Sequence, residues 1–210
     1  MKYRLREIFS TVQGEGRNTG LPATFIRFAG CNLSCPWCDT SRHTREMLTA
    51  GEIMATVRKM NNRAVVVTGG EPTMVTGLGD VLLMLKDEGY WLALDTNGLK
   101  TITEIEMFDY VAVSPKYFYR SKYVGDSMVT KADEVRIVAE SSGMEDFCHK
   151  MRECISARDY YISPLDEDGR MHYRRAFNLM QKLNASNSIK TSPWPPWSIS
   201  IQTHKVLGLK

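Results

Sequence analysis

The sequence predicts an α/β protein built as an incomplete, splayed (β/α) barrel, and three observations carry that expectation. Short apolar runs alternate with longer amphipathic stretches, the pattern of βαβ units around a mainly parallel sheet. Several of the short runs close in Gly-rich or polar residues at their carboxyl ends, where parallel α/β folds place ligands. At 210 residues the chain lies near the lower limit of a complete eight-stranded barrel, and its helical segments are few and short.

Each element follows from its residues. The first strand is expected at 23–28 (ATFIRF), leading into a loop that opens at Gly30. Helical spacing over 50–61 precedes a strand at 64–68 (AVVVT) that ends in the turn TGGEP. A helix over 77–88, a strand at 91–95 (WLALD) ending in Thr96-Asn97-Gly98, a helix over 103–108 and a strand at 110–114 (YVAVS) stopped by Pro115 continue the alternation. The later elements are strands at 134–138 (EVRIV) and 160–163 (YYIS), with helices over 145–157 and 171–183. Residues 184–197 read as an extended loop because their prolines cannot donate ladder hydrogen bonds, and they deliver the chain into a last strand at 198–202 (SISIQ). No internal repeat is visible, and one domain spanning 1–210 is expected.

Composition bounds the function. With 43% hydrophobic and 24% charged residues the chain is not disordered, collagenous or low-complexity. A net charge of +3 is too small to make phosphate-backbone binding the leading idea, so no direct nucleic-acid partner is expected. No run approaches the roughly 18 apolar residues of a membrane span. The opening MKYRLREIFSTVQGEG lacks the apolar core and small-residue cleavage site of a secretory signal, so a cytoplasmic location is expected.

Of five cysteines, Cys31, Cys35 and Cys38 fall within eight residues directly after the first strand. An odd, clustered set argues against a secreted disulfide scaffold and for metal or redox chemistry in a reducing compartment. Soft thiolates favour zinc or iron–sulfur. Only three are local, whereas a closed zinc site or an ordinary four-iron cluster takes four; three thiolates on a four-iron cluster leave one iron open to an exogenous ligand. The alternative is a zinc site completed by His43, Cys148 or Cys154.

The loop CNLSCPWC resembles the CxxxCxxC loop of the radical S-adenosylmethionine (SAM) superfamily, with Trp37 in the aromatic place beside the last cysteine. TGGEP at 68–72, DTNG at 95–98 and VSPK at 113–116 continue the resemblance in order. The opening EIFSTVQGEG, the stretch FIRFAGCNLSCPWCDT and the ending SIQTHK are similar to the 7-carboxy-7-deazaguanine synthases of that superfamily.

What the resemblance implies is a splayed TIM-like barrel of the radical SAM type, homodimeric, that converts 6-carboxy-5,6,7,8-tetrahydropterin into 7-carboxy-7-deazaguanine with loss of ammonia. Its cofactors are a [4Fe-4S] cluster on Cys31, Cys35 and Cys38, reusable S-adenosyl-L-methionine, and Mg2+ helped by the Thr40 hydroxyl; flavodoxin or a similar protein is the reductant. Cofactor contacts fall on Trp37, Cys38 and Asp39 of a cluster loop at 30–40, on Gly70 and Glu71, on Ser114, Pro115 and Lys116, and on Ser163, Pro164, Leu165 and Asp166, with Ser163 standing where Gln is often seen. Substrate contacts fall on Val12, Gln13, Gly14 and Glu15 of an N-terminal loop spanning 1–22, on Arg27 and Thr68, and on His204 in a C-terminal extension, 184–210, that completes the pocket. Arg27 suits a carboxylate because its planar fork can bind both oxygens. No side chain is assigned a catalytic role of its own: the cofactors carry the hard chemistry, and the protein positions the reactants and excludes water.

Two other classes of function fit parts of this pattern. A glycyl-radical-enzyme activase shares the small size, cluster loop and GGEP-like turn, but not the QGEG opening and QTHK ending. A non-catalytic iron–sulfur or zinc-stabilised binding module would hold metal without cleaving the sulfonium cofactor.

Overall fold

The computed structural model describes residues 1–38, 45–185 and 194–209. β1 (Lys2–Val12), β2 (Pro22–Phe28) and β3 (Glu46–Thr49) open the chain, followed by α1 (Ala50–Lys59) and β4 (Ala64–Gly69). α2 (Leu78–Asp87), β5 (Trp91–Thr96), β6 (Tyr110–Val113) and β7 (Lys131–Ala139) come next, with 3-10 turns at Pro72–Met74, Thr103–Met107 and Tyr117–Lys122. α3 (Glu145–Cys154), β8 (Ser156–Pro164), a small hairpin of β9 (Asp166–Glu167) and β10 (Arg170–Met171), α4 (Tyr173–Ala185), β11 (Trp197–Ile199) and α5 (Thr203–Val206) complete it.

The main sheet has nine strands in the order β11-β8-β7-β6-β5-β4-β2-β1-β3. Every pair from β2 to β11 is parallel, and β1 runs antiparallel to both β2 and β3. Among the described residues the two edge strands do not pair with one another, so the curved sheet stays open, as expected of a splayed barrel.

Period-two alternation gives the sheet two different faces. Val65 and Val67, Leu92 and Leu94, Val111 and Val113, Val135 and Ile137 pack beneath the helices, meeting Ile53 and Val57 of α1, Leu82 and Leu85 of α2, and Met151 of α3. The alternate residues face inward. Near the amino ends of the strands these are Phe25, Val66, Ala93 and Ala112, which with Phe9 form a second apolar layer. One or two steps further along each strand the inward set becomes Arg27, Thr68, Asp95, Ser114, Arg136 and Ser163, all of which line one cavity. Six parallel strands thus each deliver one polar side chain to the same end of the sheet.

The seven expected strands are all present, and the differences have local causes. β1 was expected to belong to an N-terminal loop; a bulge between Leu5 and Glu7 breaks the alternation that would have marked it as a strand. Only residues 13–21 form the loop, closed by Gln13 N–H to the Leu21 carbonyl (2.8 Å) and Gly20 N–H to the Gln13 carbonyl (2.8 Å), which makes it the tip of a β1–β2 hairpin. The segment at 103–108 is a 3-10 turn rather than a helix, α3 ends at Cys154 because β8 begins at Ser156, and α4 starts at Tyr173 after β10. Short β3 survives by pairing with β1 and passing straight into α1, whose capping box joins Thr49 and Glu52.

Trp197 is buried beside Tyr160, and the Arg152 guanidinium lies over both rings, at 4.7 and 5.0 Å from their centroids. The same guanidinium donates to the Pro195 carbonyl (3.0 Å), so α3 fixes the point at which the C-terminal segment returns to the sheet. Among the described residues no helix is long and apolar enough to cross a membrane.

Candidate active site

A cavity of about 290 Å3 opens at the carboxyl ends of the parallel strands. One end is built around the cysteine loop. Cys31, Cys35, Trp37 and Cys38 all face it. The loop is shaped by backbone: Cys38 N–H donates to the Cys35 carbonyl (3.2 Å), and Leu33 N–H reaches the Cys31 sulfur (3.4 Å). It is braced from outside by Ser34 N–H donating to the Tyr119 hydroxyl (2.9 Å) and by Trp37 standing edge-on to Phe118. Burial pushes the Cys35 thiol up, and the nearby Lys116 ammonium opposes that rise.

The turn after β4 meets this loop through main chain. Gly70 N–H donates to the Phe28 carbonyl (3.0 Å) and Glu71 N–H to the Gly30 carbonyl (2.9 Å). A Cβ on Gly70 would overlap the Gly30 carbonyl oxygen, which is why this position carries no side chain. Glu71 lies beneath the cavity rather than in its wall. Its buried carboxylate accepts from the hydroxyls of Thr73 (2.8 Å) and Thr96 (2.6 Å) and from the backbone of Asn97 (2.8 Å), tying the GGEP turn to the TNG turn. Asn97 in turn donates to the Asn32 side chain in the cysteine loop (2.7 Å).

Along one wall Lys116 Nζ donates to Ser114 Oγ (2.6 Å), and both line the cavity; Pro115 between them does not. Ser163, Pro164, Leu165 and Asp166 continue the wall, and Asp166 is paired with Lys205 (2.5 Å).

The other end is formed by the hairpin tip, β2 and the C-terminal arm. Val12, Gln13, Gly14, Glu15, Arg27, Thr68 and His204 all line it. Arg27 and Thr68 are register partners in adjacent strands; the Arg27 guanidinium lies over the Phe9 ring and its Nε stands 3.2 Å from Glu7. Thr203 N–H donates to the Gly14 carbonyl (2.9 Å), Gly16 N–H donates to Ser200 Oγ (2.8 Å), and the His204 ring lies against Gly14.

The structure therefore gathers nearly every residue expected at the site around one volume. Glu71 and Pro115 fall outside its lining, and Asp39 and Thr40 lie outside the described residues. Sequence reasoning assigned no contact to several charged or polar groups that face the cavity, among them Asp95, Arg136, Gln202 and Lys205. For Arg136 a signal was present, since Glu134 and Arg136 alternate with Val135 and Ile137 on a strand whose other neighbours are apolar.

The radical SAM superfamily profile matches residues 25–137, more than half of the chain, and this span holds the cysteine loop and both glycine-rich turns. The chain belongs to the radical SAM superfamily. Within it the relatives are 7-carboxy-7-deazaguanine synthases. The one from Haemophilus influenzae is 41% identical over 208 residues, covering 99% of this chain and 94% of its own length. The one from Neisseria meningitidis serogroup B is 42% identical over 209 residues, covering 100% and 95%. The crystal structure of QueE from Escherichia coli superposes with a TM-score of 0.73 at 25% identity, covering 97% of this chain and 95% of that one.

The donor set of this radical SAM protein fits a four-iron cluster. Cys31, Cys35 and Cys38 lie on one loop, and all three face the cavity. Neither remaining cysteine joins them: Cys148 is buried in the core and Cys154 packs against it, so the zinc site completed by either is set aside. Among the described residues no three His, Cys, Asp or Glu side chains are grouped to hold a single metal ion. A cubane with one iron open to the cavity is the chemistry that three such anchors leave available.

Proposed function

We propose that this chain converts 6-carboxy-5,6,7,8-tetrahydropterin into 7-carboxy-7-deazaguanine with loss of ammonia, as a cytoplasmic homodimer using a [4Fe-4S] cluster, S-adenosyl-L-methionine and Mg2+, with flavodoxin or a similar protein as reductant. One observation carries the reading: a single cavity joins three thiols at one end to a carboxylate-matching arginine, a hairpin tip and a histidine at the other.

When bound, the reduced cluster and its sulfonium cofactor supply a 5′-deoxyadenosyl radical. The protein's part is placement. Cys31, Cys35 and Cys38 hold the cluster as thiolates. The Gly70 backbone suits the methionyl amino group because the strand end carries no side chain there. Lys116, already fixed by its bond to Ser114, offers a cation to the carboxylate, and Ser114 a hydroxyl to the ribose. Trp37 and the stretch Ser163 to Asp166 flank the adenine. Glu71 acts at one remove, holding the two cofactor-side turns in register.

At the far end Arg27 receives the pterin carboxylate on its planar fork. Gln13, Glu15, Thr68 and His204 present hydrogen-bonding edges to the flat ring, and Val12 and Gly14 contribute backbone. The expected Mg2+ contact is Thr40, with waters and substrate oxygens completing the shell. Enclosing both reactants shields a reactive radical from water.

The test is anaerobic reconstitution with iron and sulfide, reduction, and incubation with S-adenosyl-L-methionine and carboxytetrahydropterin. The contracted acid should be detected by its mass. Cleavage of the cofactor with the pterin returned unchanged would contradict the proposal.

A further inference from the structure

The hairpin tip is gripped from beneath by two buried charged residues that the steps above do not use. Glu134 is 1% and Arg136 5% exposed, both on the inward face of β7. Glu134 Oε2 accepts from the Arg17 backbone N–H (2.9 Å) and the Tyr110 hydroxyl (2.8 Å). Its Oε1 pairs with Arg136 Nε at 2.8 Å. From there Arg136 reaches Asp95 through Nη2 (2.5 Å) and Glu15 through Nη1 (3.4 Å). Gly16 rests directly on the Glu134 carboxylate with φ +69°, and a Cβ at that position would overlap the carboxylate oxygens.

An apolar pair of similar volume would fill this space without the desolvation penalty of two buried charges. What it could not do is reach up to a main-chain N–H, that of Arg17, and to the Glu15 carboxylate in a loop that has no core of its own. On its other side the tip is tied to the C-terminal arm by Ser200 and Thr203. The tip is thus clamped between β7 and that arm.

We infer that Glu134 and Arg136 are positioning residues that lock the tip at 13–17 over the cavity before substrate arrives, so that Gln13 and Glu15 stand ready to meet it. Neither residue needs to touch the substrate. The inference rests on the proposed function for what the tip contacts, while the lock itself does not depend on it. Preorganising a binding loop lowers the ordering cost on association, so losing the lock should raise substrate KM more than it lowers kcat.

The test compares wild type with the double variant Glu134→Gln/Arg136→Gln, which removes both buried charges together, and with Arg136→Lys, which keeps the charge but cannot span Asp95 and Glu15. In the reconstituted double variant, amide hydrogen exchange at residues 14–17 should accelerate at least about tenfold while β4 amides keep wild-type protection. KM for carboxytetrahydropterin should rise by about tenfold or more, with S-adenosyl-L-methionine affinity within about twofold of wild type. Arg136→Lys should raise KM by about three- to tenfold, and it decides the question if the double variant does not fold. Wild-type exchange at 14–17 and wild-type KM in a folded variant would overturn the inference, leaving the pair as mutual neutralisation only. If wild type itself does not turn over the pterin, the proposed function fails and the exchange result alone decides the lock.

Discussion

Cys35 stands between its two partner thiols in sequence and faces the cavity with them, so its loss should remove one anchor without disturbing the core. Cys35→Ala is expected to stay folded, with an unchanged far-ultraviolet spectrum, and to lose both product formation and the broad absorption near ~400 nm of a bound iron–sulfur cluster. Turnover equal to wild type would refute the three-thiolate assignment. At the opposite end, Arg27→Ala should weaken pterin binding by at least about tenfold and leave cofactor affinity within about twofold, because a carboxylate loses its paired donors. Equal losses in both affinities would remove Arg27 from the substrate end. These residues were legible in the sequence because thiolate spacing, adjacent glycines and a motif-bearing strand each restrict the chemistry at short range. The pairing of Asp95 with Arg136 was not, because the two lie 41 residues apart in sequence and only the folded register brings them together.

The strand ends are the elements that make the site. Gly70 is the sharpest case: its approach to the Gly30 carbonyl is backbone against backbone, so no rotamer change can make room. Gly70→Ala should cost about 1–3 kcal/mol of stability by overpacking and reduce cluster incorporation in parallel. Chemical denaturation and iron content check this, and a variant with wild-type values in both would contradict the close approach. The Arg152 clamp acts on another element, fixing where the C-terminal segment returns to β8. The sequence showed the parallel strands plainly, since each holds a short run rich in β-branched and aromatic residues, most of them closed by a Gly-rich or polar turn. It concealed β1, where a bulge shifts the alternation, and the short pairings β3, β9 and β10, which persist only because neighbouring strands supply their hydrogen bonds.

Over the whole molecule, an open sheet puts helices and core on one face and leaves the other to a graded interior, apolar at the amino ends of the strands and polar at the carboxyl ends. Stability and site are linked at Glu140, whose carboxylate accepts from the backbone of Tyr117 (3.0 Å) and Phe118 (2.7 Å) in the turn that braces the cysteine loop. Burial pushes Glu140 up to about 6 from an ordinary 4.5, against the pull of the Phe118 N–H and Lys116. The folded state therefore holds this proton more tightly than the unfolded chain does. The associated stability is complete below the ordinary value and is lost as pH rises through about 6. After solvent screening the change is on the order of 1 kcal/mol. Glu140→Gln lacks this titration, so the urea midpoint of wild type minus that of the variant should fall between about pH 4.5 and 7. Parallel curves would rule out the raised carboxyl.

The central claim is that one cavity brings a reusable sulfonium cofactor and a pterin within reach of a three-thiolate cluster. Its most direct measurement is the amount of contracted acid formed anaerobically from excess carboxytetrahydropterin when S-adenosyl-L-methionine is supplied in less than stoichiometric quantity. The account expects more moles of product than of cofactor supplied, with the cofactor recovered intact. Product capped at the cofactor supplied, or 5′-deoxyadenosine accumulating without any contracted acid, would contradict it.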